Sequence, residues 1–131
     1  MRIALEMRIM GRSNVTLAPQ YGNALGTCSI EVLTPYLVDA SSWAGFMQQV
    51  ADKWTSYGGN VRPHWAKQWP AQMNGVPTTQ YLTGTAYAGR LPKFKSDLQA
   101  IATAGGWSLQ DVQNVFTNAT INTIFASVFE P

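Results

Sequence analysis

Residues 1–10 alternate strictly. Ile3, Leu5, Met7 and Ile9 fall on one side, and Arg2, Ala4, Glu6 and Arg8 on the other. That period of two predicts a strand with one apolar and one charge-bearing face. Residues 11–26, with Pro19, Gly22 and Asn23, read as a long connection. A second strand is predicted over 27–33, with Cys28, Ile30 and Val32 on one side and Ser29 and Glu31 on the other; Pro35 ends it. The period then changes. Asp39, Ser41 and Ser42 are candidate N-caps for a helix whose stripe is Trp43, Phe46, Met47, Val50, Trp54 and Tyr57. Gly58-Gly59 supplies its stop.

A third strand is predicted over 60–67, followed by a loop holding Pro70, Asn74-Gly75 and Pro77. The stretch 81–87 fits neither period. Pro92 suits the first position of a second long helix running to about Ala104, with Phe94, Leu98 and Ile101 on one face and Gly105-Gly106 at its end. A short C-terminal helix is predicted from about Thr120, with Ile121, Ile124, Phe125, Val128 and Phe129 on its apolar face. The fold class is therefore α+β: a partial antiparallel sheet of about three strands, two longer helices and a short C-terminal one. Three strands are few for a sheet, and the alternation starts at residue 1. Both point to further strands upstream.

Composition adds a reason to expect a partner. The chain has 131 residues, enough for one small domain. Only 12% are charged, where roughly 25% is usual. Hydrophobic residues reach 46% and Trp numbers five. No apolar run approaches the ~20 residues of a membrane span. A surface so poor in charge fits contact with another domain or a second copy of the chain, giving a homodimer. The net charge of +2 is scattered without a stripe, which argues against nucleic acid. One Cys and one His exclude an internal disulfide and leave no zinc set. No signal-peptide pattern is visible, and the reading is of a soluble protein of unknown compartment. The sequons at Asn14 and Asn118 are triplets that chance supplies often.

Two features could carry chemistry. Glu6 and Arg8 share a strand face ~6.6 Å apart. They can hold a hydroxyl or polyol between them, pair with each other, or form the solvated face of a sheet. In Arg62-Pro63-His64-Trp65-Ala66-Lys67, alternation puts Arg62 and His64 on one face, with Lys67 beyond. Such a group can balance an anion or relay a proton, or consist of surface charges around a Trp anchor. No Gly-rich loop opens a helix, so a phosphate cradle is absent.

Five stretches, LEMRIM (5–10), LAPQYGN (17–23), SIEVLTP (29–35), RPHWAKQW (62–69) and NVFTN (114–118), follow in order. Together they resemble the C-terminal part of flavoprotein oxidases built like vanillyl-alcohol oxidase. The nearest branches are the aldonolactone and alditol oxidases and the flavin-attached cholesterol oxidases. The resemblance spans Leu5 to about Phe125, and Glu-x-Arg and Arg-Pro-His-Trp-x-Lys are its most specific parts.

It implies that residues 1–131 are the C-terminal part of a substrate-binding, or cap, domain. FAD would be bound mainly by an N-terminal domain absent from this chain. Glu6, Arg8 and Lys67 are the implied catalytic residues, and Glu6, Arg8 and His64 bind substrate. Lys67, His64 and Asn118 are the implied cofactor-binding residues. The implied reaction is oxidation of an alcohol (sugar lactone, alditol or sterol) by hydride transfer to flavin, with oxygen as acceptor. Ala66 departs from the Gly common in this motif, which puts the backbone beside Lys67 in question. Against this stand a polar-ligand-binding module and an oligomerisation module, neither catalytic.

Overall fold

A computed structural model describes residues 4–34, 37–58 and 60–130. The chain is α+β, in the order β1 (Ala4–Met10), β2 (Thr27–Leu33), α1 (Ala40–Thr55), β3 (Gln72–Met73), β4 (Val76–Pro77), α2 (Thr78–Tyr81), α3 (Leu91–Gly105), α4 (Leu109–Phe116), α5 (Ala119–Ile124) and α6 (Ala126–Phe129). A π-helical turn over Leu82–Ala86 continues α2.

β1 and β2 form an antiparallel pair in which Leu5 faces Val32, Met7 faces Ile30 and Ile9 faces Cys28. Directly opposed residues share a face, so these six make one apolar side. α1 begins where the sequence predicts, with the Asp39 carboxylate accepting from Ser42 N at 2.8 Å. It ends at Thr55, short of Tyr57, and only Ala51 on it is buried; the predicted stripe is mainly half-buried. α3 carries Pro92 in its first turn, one residue after its start, and closes on Gly106 at φ 72°.

Four expectations change. Residues 60–67 are not a strand. Pro63 lacks an N–H for a ladder, and the side chains of Arg62 and Trp65 are drawn to the 11–26 connection instead. The sheet is thus two-stranded among the described residues, beside a separate small hairpin of β3 and β4. Asn74 (φ 52°) and Gly75 (φ 77°) turn that hairpin, which had read as loop. Stretch 81–87 is largely helical, and α4 was not foreseen; its Ser108–Asp111 capping box was a usable signal. The last helix is two short ones, the first starting at Ala119. Residues 1–3 and Pro35, used in the strand predictions, and Gly59, used in the helix stop, lie outside the described residues.

The core sits in the helical part. Tyr87, Leu82, Ile124 and Val128 are fully buried there, joined by Tyr81, Leu91 and Phe125. Trp65 enters it from the 60–67 segment, with ring centroids 4.9 Å from Tyr87 and 5.7 Å from Phe125. The larger hairpin, β1–β2, contributes no residue to this core. Leu5, Met7 and Ile9 stay 66%, 66% and 75% exposed, an uncovered apolar face. No helix among the described residues is long and apolar enough to cross a membrane.

The 11–26 connection is tied down by its carbonyls. Arg62 Nη1 donates to Pro19 O at 3.1 Å and Tyr21 O at 2.8 Å, and Trp65 Nε1 donates to Leu17 O at 2.8 Å. The Arg90 guanidinium lies 3.7 Å from the Tyr21 ring centroid. Gly26, at φ 97°, returns the chain to β2, and a Cβ there would stand 2.8 Å from Met10 O. Gly26→Ala should therefore destabilise the fold by about 1–3 kcal/mol, read as a lower urea midpoint.

Candidate functional site

The charged side of the β1–β2 hairpin is set by register. Glu6 lies directly opposite Glu31, and Arg8 opposite Ser29, so all four project from the face away from Leu5, Met7 and Ile9. Two carboxylates facing each other across a sheet repel. Each here has its own cation. Arg8 Nη2 sits 2.8 Å from Glu6 Oε2, and Lys67 Nζ sits 2.5 Å from Glu31 Oε1.

Lys67 reaches the hairpin through a turn. Its backbone N donates to His64 O at 3.1 Å, and Ala66 N donates to His64 Nδ1 at 3.1 Å. Trp69 Nε1 donates to the same His64 carbonyl at 2.9 Å. Below the turn Trp65 is packed in the core; above it His64 and Lys67 are exposed. Asn74 is the only non-glycine residue at positive φ among those described, so Ala66 sits in ordinary backbone. Replacing the motif's Gly therefore brings no left-handed strain beside Lys67.

The structure thus brings Glu6, Arg8, His64 and Lys67 to one face. Arg62 is not among them. Its guanidinium is held by the Pro19 and Tyr21 carbonyls and lies 5.1 Å from the Tyr87 ring centroid, which separates it from the exposed His64. Asn118 caps α5, its side-chain oxygen accepting from Ile121 N at 3.0 Å. Among the described residues no hydrogen bond or ion pair joins Asn118 to the charged face.

Glu31 is the residue that sequence reasoning missed. Its placement on the polar side of the second strand was readable, but which side chain it would face depended on a register that no local pattern supplies. Lys67 holds the Glu31 carboxyl below its ordinary value of 4.5, chiefly through their hydrogen bond, with further help from the charges of Arg8 and His64. Burial does the opposite to Tyr87, raising its phenol while the nearby Arg62 charge acts to lower it.

The face is open. The side chains of Arg8, Lys67 and Glu6 are 69%, 57% and 47% exposed, and Glu31 is 28% exposed. Among its described residues the charges of the two ion pairs cancel, leaving an array of acceptors and donors. Such an array can hydrogen-bond uncharged hydroxyl groups. An open groove of about 410 Å³ lies on the hairpin's other, apolar side, lined by Leu5, Ile30, Val32, Phe46, Val50 and Trp54 together with Gln49 and Lys53. Among the described residues no group of three His, Cys, Asp or Glu side chains could hold a metal ion.

Comparisons with protein-family models, with curated proteins and with solved structures found no match for this chain.

Proposed function

We propose that this chain supplies the substrate-side residues of an FAD-linked alcohol oxidase whose flavin-binding domain is a separate part of the enzyme. The observation that carries the reading is the meeting of Lys67 and His64 with Glu6 and Arg8 on one exposed face. Four of the five stretches behind the resemblance are also physically joined: 5–10 with 29–33 as strands, and 17–23 with 62–69 through the Arg62 and Trp65 side chains.

When bound, FAD supplies the hydride acceptor. The residues here suit the substrate side of its ring. Glu6 orients the hydroxyl or accepts its proton, and Arg8 and Lys67 stabilise the negative charge that develops. Neither α1 nor α4 suits the pyrophosphate. The amino ends of α1 and α4 are filled by the carboxylates of Asp39 and Asp111, which repel a phosphate. On this reading FAD is bound mainly by the flavin-bearing domain. The cancelled charge of the face favours an uncharged, hydroxyl-rich substrate such as an alditol or sugar lactone, since the apolar surface a sterol needs lies on the hairpin's other side.

The uncovered Leu5, Met7 and Ile9 face supports a covering partner, which we take to be the flavin-bearing remainder of the enzyme. The same face favours a second reading, a homodimerising module without catalysis. The test is peroxide release by the flavin-bearing enzyme offered alditols, sugar lactones and sterols. Peroxide with one of the first two supports the proposal. A stable dimer of this chain, with no peroxide from any alcohol, supports the second reading.

A further inference from the structure

We infer that Glu31 is the positioning residue for Lys67, the acid that fixes its ammonium over the charged face. The role rests on the oxidase reading; the pairing itself does not. Lys67 sits in an irregular segment at the end of a flexible four-carbon stem, and backbone contacts alone do not aim its ammonium. Glu31 is mid-strand, with its backbone held in the β1–β2 ladder. It is also the less exposed partner, 28% against 57% for Lys67. The acid is thus the anchored end of the pair.

Register decides which cation belongs to which acid. Glu6 is occupied by Arg8 at 2.8 Å, two residues along the same strand. Glu31 faces Glu6 directly and has Ser29, not a cation, two residues along its own strand. It takes its cation from the 61–70 segment instead, and Lys67 answers. Arg8 and His64 also act on the Glu31 carboxyl, more weakly than Lys67. Without Glu31, Lys67 loses its hold and is left to compete with Arg8 for Glu6.

The test is site-resolved acylation of the whole chain with a hydroxysuccinimide ester at neutral pH, read by mass spectrometry. Glu31→Gln should raise the Lys67 rate several-fold and leave Lys53 and Lys93 unchanged. Glu6→Gln, on the opposed acid, should leave Lys67 as it is. An unchanged Lys67 in Glu31→Gln, or an equal rise in Glu6→Gln, overturns the inference. If Glu31→Gln unfolds, all lysines speed up together. Glu31→Asp then decides, since withdrawing the carboxylate by one methylene must raise Lys67 alone; no rise there also overturns it. In the flavin-bearing enzyme, Glu31→Gln should lower kcat with little change in KM, and Glu31→Asp should recover part of it. Acylation needs neither flavin nor turnover, so the pairing and the oxidase reading fail separately.

Discussion

On the proposed oxidase reading, changing Lys67 to alanine in the flavin-bearing enzyme should lower turnover about 10²–10³-fold, the usual loss when one preorganised charge stabiliser is removed. Flavin stays bound. Lys67 is 57% exposed and its pair with Glu31 is solvent-facing, so the fold loses little stability. A turnover loss of that size is therefore not unfolding in disguise. Arg8→Ala should act in the same direction, because it removes the second cation of the face and leaves Glu6 without its partner at 2.8 Å. Steady-state kinetics beside the visible flavin spectrum make the check. Lys67→Ala with near-normal turnover would remove it from the catalytic set.

The largest stability effect is expected at Trp65. Its ring lies against Tyr87, Phe125 and Trp69. Its indole N–H also holds the Leu17 carbonyl of the long connection at 2.8 Å. Trp65→Ala should cost about 3 kcal/mol, the low end for an aromatic truncation because the residue is only partly buried. Trp65→Phe keeps a ring but drops the hydrogen bond, and should cost about 1 kcal/mol beyond any loss of packing. Urea midpoints of the two variants separate the contributions. Equal midpoints for wild type and Trp65→Ala would show that this residue does not bind the connection to the core.

What the sequence made legible follows the range of the forces involved. β1, β2, α1 and the end of α3 were readable because alternation, the Asp39 cap and Gly106 act within a few residues. The 60–67 segment was misread because its conformation is decided at long range, by carbonyls of Pro19, Tyr21 and Leu17 and by the ring of Tyr87. α4 was missed even though Ser108 and Asp111 announce it.

The site divides the same way. Glu6 and Arg8 share a face by alternation alone. Glu31 became visible only with the register, and Asn118 turned out to serve its own helix. An Asn three residues ahead of Ile121, at the start of an apolar helix, is an N-cap by local chemistry.

The most direct measurement is anaerobic mixing of the oxidised flavin-bearing enzyme with an alditol or a sugar lactone, following the visible flavin absorbance. The account predicts bleaching, slowed in Arg8→Ala and Lys67→Ala. A flavin that stays oxidised with every uncharged polyol, lactone and sterol would contradict it.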